Sequence, residues 1–168
     1  MQYTSAQAAK LLRRLNEEFS SLKENESQSK EFLASVGEDV ESVRPEYDFL
    51  STQKRMNEIE RKIRLLKHTI NVFNATTTVP ELDMTIDQVL VLIPQLSARK
   101  SKLADMKSRL PKQRDQSYNR MTNVIDYCYL NYDLKDVEAE YDRVEKLLAT
   151  AQTALDLVNS TVTMDIDL

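Results

Sequence analysis

The sequence predicts a mainly α protein, a bundle of long antiparallel coiled-coil-like helices with two short β-strands in the C-terminal half. Three observations carry this. The 168 residues include one glycine and four prolines, too little turn-forming material for many short elements. Between Pro45 and Asn74 the apolar residues Phe49, Met56, Ile59, Ile63, Leu66, Ile70 and Phe73 hold a 4-3-4-3 register in which Thr52 is the one polar member. That spacing is a heptad seam, and the stretch would form a rod about 43 Å long. Charged residues make up 30% of the chain and supply solvated helix faces. A single elongated domain spanning 1–168 is the simplest organisation.

The first helix is expected over residues 5–25. Thr4-Ser5-Ala6-Gln7 matches a capping box, and Leu12, Leu15, Phe19 and Leu22 then form one apolar stripe. Phe32, Leu33 and Val36 suggest a short helix that Gly37 stops by adopting left-handed geometry. Glu38, Asp39 and Glu41 follow as an acidic loop. Pro45 suits the first turn of the second helix, 46–74, where its missing N–H costs nothing.

A threonine-rich break and Pro80 separate that rod from the third helix, 85–110. Thr85-Ile86-Asp87-Gln88 is a second capping-box match, and Pro94 is expected to bend the helix it sits in. From Asn123 to Asn131 β-branched and aromatic residues alternate, which predicts a strand over 123–131. Asp133 can cap the fourth helix, 134–159, whose seam runs Val137, Tyr141, Val144, Leu148, Ala151, Leu155 and Val158. The alternating tail Val162, Met164, Ile166 and Leu168 predicts a second strand, 161–167. A long helix separates the two strands, so they are expected to pair poorly with each other. Completion of these strands, or of the long seams, against another subunit is the expectation, because a lone ribbon is marginal and strand edges seek partners.

The net charge of −4 predicts a soluble surface, and the lone Cys128 rules out an intramolecular disulfide and suits a reducing compartment. The longest wholly apolar run, Val89 to Ile93, is far short of the roughly 20 residues a bilayer span needs. No apolar leader opens the chain, so the expected location is the cytoplasm, with no membrane partner.

Candidate chemistry is sparse. Arg64, Lys67, His68, Asn71 and Asn74 share one face of the second helix and form a candidate ligand-binding stripe, though a solvated face is the simpler reading. Arg99, Lys100, Lys102, Lys107, Arg109, Lys112, Arg114 and Arg120 stand against only Asp105 and Asp115. This basic segment, 99–120, is a candidate nucleic-acid or anion contact, or alternatively docks on acidic side chains of a neighbouring subunit. No aromatic residue interleaves with it before Tyr118, which disfavours stacking on single strands. Cys128, between two tyrosines, reads as a small buried hydrophobe rather than a nucleophile. His68 has no Glu three residues before it, and no glycine-rich phosphate loop exists, so no metal, cofactor or catalytic residue is predicted.

Three segments then resemble a known group. Arg44-Pro45-Glu46-Tyr47-Asp48-Phe49, Ile63 to Asn71 running into Phe73-Asn74, and Asp83 to Gln88 with Ile93-Pro94-Gln95-Leu96 resemble a family of small helical bacterial proteins of unknown function. The layout, with a strand before the last helix, is also distantly similar to proteins called septicolysin. The resemblance implies elongated helical oligomers and brings no catalytic residues. A membrane-damaging activity, which the septicolysin likeness would imply, is at odds with the lack of a long apolar segment and of any tryptophan. The expected function is a non-enzymatic, self-associating helical structural or interaction protein, a homo-oligomer with a protein partner as a further option. A nucleic-acid or anion binder using 99–120 is the first alternative, and an enzyme with a site near His68 is the second.

Overall fold

The computed structural model describes residues 1–114 and 126–168. The protein is mainly α, as predicted, with five helices and six short strands among the described residues. The chain divides into two compact units, Met1–Thr77 with Leu157–Leu168, and Thr78–Asp156.

In the first unit, β1 (Gln2–Thr4) leads directly into α1 (Ser5–Ser29), and the predicted capping box is present. Thr4 Oγ1 accepts from Gln7 N–H at 3.3 Å and Gln7 Oε1 accepts from Thr4 N–H at 2.9 Å. After a connection holding α2 (Val40–Val43), α3 (Phe49–Thr76) runs back along α1. Its direction follows from the contacts: Glu18 meets Arg55, whereas Glu26, further along α1, meets Gln53 and Tyr47. Ala8 and Leu15 on α1 and Ile59, Leu66 and Phe73 on α3 are buried, one residue per heptad in each helix.

Two expectations fail here. Phe32 to Val36 is not a helix; Leu33 and Val36 are almost wholly exposed, so a one-turn helix there would have no apolar surface to rest on. Gly37 does take a positive φ of 91°, but in a turn where Glu38 N–H reaches Ser35 O. The second long helix starts at Phe49 rather than at 46. Asp48 Oδ1 accepts from Ser51 N–H at 3.1 Å, and this cap sets the start that Pro45 alone did not.

The unit closes with the end of the last helix and β6 (Thr163–Asp165), which pairs antiparallel with β1 in the register Gln2↔Asp165, Tyr3↔Met164, Thr4↔Thr163. The terminal amine donates to Ile166 O at 3.1 Å and Ile166 N–H donates to Met1 O at 2.9 Å. Met164 and Ile166 are buried, two of the four apolar positions of the predicted alternation, whereas Val162 and Leu168 are exposed.

In the second unit, β2 (Thr78–Val79) and β3 (Met84–Thr85) form a small hairpin whose turn holds Asp83 at φ 50°. It feeds α4 (Ile86–Lys107), which continues through Pro94. β4 (Lys112–Arg114) and β5 (Tyr127–Tyr129) pair antiparallel, and α5 (Leu134–Thr161) follows, belonging to this unit up to Asp156. Leu96, Leu103, Val137, Val144 and Leu148 form the core between α4 and α5, flanked by Leu92, Ile93, Met106, Tyr132, Tyr141 and Leu147. Tyr132 also donates its hydroxyl to Met106 O at 2.9 Å, which ties the start of α5 to the end of α4.

The strands therefore do not wait for another subunit: β5 has β4, and β6 has β1. The expectation of pairing between chains fails because β1 and β4 are three-residue strands, too short to announce themselves by a period of two. The described part of the predicted strand 123–131 is β5; residues 123–125 lie outside the described residues. Cys128 is exposed, not buried as expected, since a two-stranded ribbon has no second layer to cover it.

Candidate interaction surfaces

The polar stripe on α3 is where its spacing places it. Arg64, Lys67, His68 and Asn71 are exposed and Asn74 is half-buried. Arg64 reaches Glu60 at 4.0 Å on its own helix. The five side chains share a face, but nothing encloses them among the described residues. This geometry is that of a solvated helix flank.

The basic segment resolves into two parts. On α4, Arg99, Lys100 and Lys107 are engaged by α5. Arg99 contacts Glu140 at 2.6 Å, and the same carboxylate takes two hydrogen bonds from Arg143, at 2.7 and 2.8 Å. The hydrogen bonds from Arg143, with the charges of Arg143 and Arg99 behind them, hold the Glu140 carboxyl below its usual range. Lys100 meets Glu145 at 2.7 Å, which lowers the Glu145 carboxyl and raises the Lys100 ammonium, each chiefly through that hydrogen bond. Lys100 and Lys107 lie 5.6 and 5.1 Å from the centre of the Tyr141 ring, one cation–π pair each. Arg109 pairs with Asp105 at 3.0 Å. Acidic side chains of the same unit thus meet Arg99, Lys100 and Arg109, three of the eight basic residues of the segment.

The second part differs. Lys112 and Arg114 stand on β4, exposed, and form no ion pair among the described residues; Lys102 is also exposed, and Arg120 lies outside the described residues. Opposite them on β5 are Tyr127 and Tyr129, both exposed. The Lys112 ammonium sits 4.2 Å from the Tyr127 ring centre and 5.3 Å from that of Tyr129. The sequence separates these tyrosines from the basic run; only the strand register brings them beside it.

A third surface is one that sequence reasoning missed. Leu65, Thr69, Val72 and Thr76 recur on α3 at the spacing of a seam, and Leu65 and Val72 are exposed by 39% and 47%. The Thr69 hydroxyl donates to Leu65 O at 3.0 Å and the Thr76 hydroxyl to Val72 O at 2.8 Å. With both hydroxyls turned into their own helix, the stripe presents methyl groups outward. Among the described residues no group of three or more His, Cys, Asp or Glu is placed to hold a metal ion, and no helix is long and apolar enough to cross a membrane.

No known family model matches the chain, and no curated protein matches it significantly. Among solved structures, a functionally unknown conserved protein from Corynebacterium diphtheriae aligns over 98% of this chain and 100% of its own, with a TM-score of 0.60 and 15% identity. That likeness establishes a shared fold across the chain.

Proposed function

We propose that this protein is a non-enzymatic, self-associating helical structural or interaction protein that acts through helix-to-helix contact. The observation that carries the reading is the width of the apolar arc on α3. Its buried seam is Ile59, Leu66 and Phe73, with Met56, Ile63 and Ile70 half-buried on one side. The Leu65, Thr69, Val72 and Thr76 stripe flanks the other side. At 100° per residue these positions span about 200° of the helix, twice the arc that one packed face requires. One neighbouring helix covers part of such an arc, and the remainder suits a second.

A second copy of the same stripe is the fitting occupant. The stripe is uncharged, so it can face itself across a two-fold axis without like-charge repulsion, even on a chain of net charge −4. Its members repeat by seven, Leu65 to Val72 and Thr69 to Thr76, the same interval that spaces the buried residues of α1 and α3. Cytoplasmic residence accords with this reading through the single exposed cysteine.

Light scattering tests it. The wild-type chain is expected to give a defined oligomer whose mass is insensitive to salt. The variant carrying Leu65→Asp and Val72→Asp is expected to fall to the monomer mass with its helical circular dichroism intact, because both sites are exposed. A monomeric wild type, or a variant that keeps the wild-type mass, would sink the proposal.

A further inference from the structure

The β4–β5 ribbon sets cations and aromatic rings side by side. Its register pairs Lys112 with Tyr129 and Arg114 with Tyr127. Directly opposed residues in an antiparallel pair share a face, and so do residues two apart on one strand. Lys112, Arg114, Tyr127 and Tyr129 therefore occupy one face, with cations on one strand and aromatic rings on the other. Gln113 and Cys128 occupy the reverse face. All four residues of the first face are exposed. Unlike Arg99 and Lys100, which α5 carboxylates neutralise, neither cation of the ribbon has a carboxylate partner among the described residues.

We propose that this face binds single-stranded nucleic acid, with bases against Tyr127 and Tyr129 and phosphates against Lys112 and Arg114. Aromatic rings beside cations that no carboxylate neutralises are the combination that single strands recognise, since every base has a π-face and every linkage a negative charge. Spacing selects the strand state. Tyr127 and Tyr129 are two residues apart, about 6.8 Å along an antiparallel strand, whereas stacked bases in a duplex are about 3.4 Å apart. Neighbouring bases reach both rings only when drawn out of their stack, which a duplex resists. An acidic peptide would satisfy Lys112 and Arg114 but would leave both rings unused.

The test uses the full chain and a labelled oligouridine of about 12 nucleotides, within the range of single-strand site sizes. Fluorescence anisotropy is expected to show binding at low salt, weakening with a log–log salt slope of about −1.4, the value for two phosphates neutralised on a single strand. Tyr127→Ala with Tyr129→Ala is expected to weaken binding about tenfold or more. The corresponding pair of phenylalanine substitutions is expected to keep it. Lys112→Gln with Arg114→Gln is expected to abolish the salt slope. Photo-crosslinking of the unaltered chain to a 5-iodouridine strand gives a readout that needs no variant, and the adduct is expected on Tyr127 or Tyr129. Absence of binding, equal affinity for a duplex or for oligoglutamate, indifference to loss of both tyrosines, or adducts confined elsewhere would each overturn the proposal.

Discussion

On α1 and α3 the residues withdrawn from solvent are spaced by seven, Ala8 to Leu15 and Ile59 to Leu66 to Phe73; on α4 and α5 the same interval returns in Val89, Leu96 and Leu103 and in Val137, Val144 and Ala151. The polar contacts at the edges of the two pairs are not alike. Between α1 and α3, Glu26 accepts from the Tyr47 hydroxyl and from Gln53 Nε2, each at 2.6 Å, and Arg55 meets Glu18 at 2.8 Å. Between α4 and α5 the carboxylates take cations: Arg99 and Arg143 share Glu140, and Lys100 takes Glu145. Leucine and valine at heptad positions pack acceptably with many partners, so apolar seams alone do not say which helix joins which. The edges do. A carboxylate between two neutral donors accepts one neighbour, and a row of cations facing a row of carboxylates accepts another.

The largest way to strain this comparison is to remove seam atoms from each pair. Leu66 is fully buried and Leu103 keeps 8% of its exposure. Leu66→Ala is expected to cost about 2–5 kcal/mol, the range for a buried leucine replaced by alanine, and Leu103→Ala less, since solvent and the half-buried Met106 can relax into the gap. Urea unfolding midpoints for the two variants read the difference. If Leu103→Ala proved the costlier, the second unit would hold the better packed seam and the likeness between the two helix pairs would fail.

Much of this architecture is legible in the order of residues alone. The four long helices follow from periods that repeat over many residues, so errors at single positions average out, and both capping boxes follow from a four-residue pattern at the helix start. The features that sequence reasoning missed have no period to show. β1 finds its partner at the other end of the sequence, at Gln2↔Asp165 and Tyr3↔Met164, and three residues cannot display an alternation. Arg99 and Glu140 each look like ordinary surface charges until α4 and α5 are laid antiparallel. The ribbon face is hidden for the same reason: Tyr127 and Tyr129 gain meaning only from a register that sets them across from Arg114 and Lys112. The start of α3 is misplaced in the sequence because Pro45 and Asp48 are both good starters, and only Asp48 lies three residues before an N–H it can accept from.

The Glu140 and Glu145 contacts and the Tyr47–Glu26 contact should come apart at opposite ends of the pH scale. Glu140 and Glu145 are held below the usual carboxyl value of 4.5, so the stability they bring is complete above that value and is lost as pH falls through their lower ones. Tyr47 runs the other way. Its hydrogen bond to Glu26, aided by burial and by the charges of Glu26 and Asp48, pushes the phenol up to about 12. The contribution of that bond is complete below the ordinary 10.0 and is lost as pH rises through about 12. Glu140→Gln with Glu145→Gln is therefore expected to flatten the acid limb of the unfolding midpoint and leave the alkaline limb alone; Tyr47→Phe is expected to do the reverse. Both effects are smaller than loss of Leu66, because all three groups sit at the solvent edge of their helix pair. Should either substitution flatten both limbs, the two edges would be coupled rather than separate.

The smallest expected difference lies in the helix starts, where two sequence motifs of the same form turn out to work differently. At α1 the Thr4 hydroxyl is itself the acceptor for the Gln7 N–H, so Thr4→Ala leaves that donor without a partner and is expected to cost about 1 kcal/mol. At α4 the Gln88 side chain returns to the Thr85 N–H at 2.9 Å, as the motif requires. The Gln88 N–H, however, goes to Asp87 Oδ1 at 2.9 Å, and the Thr85 hydroxyl donates to that same carboxylate oxygen. Thr85→Ala removes a donor from Asp87 but orphans no backbone N–H, and the negative charge stays in the first turn where the helix dipole favours it. Its cost is expected to be a few tenths of a kcal/mol, below that of Thr4→Ala. Asp87→Ala should reverse the order, since it strips the Gln88 N–H of its acceptor and the turn of its charge. Thermal unfolding of the three variants decides the matter: equal losses for Thr4→Ala and Thr85→Ala would mean that the Thr85 hydroxyl accepts from the Gln88 N–H in solution, as Thr4 does from Gln7.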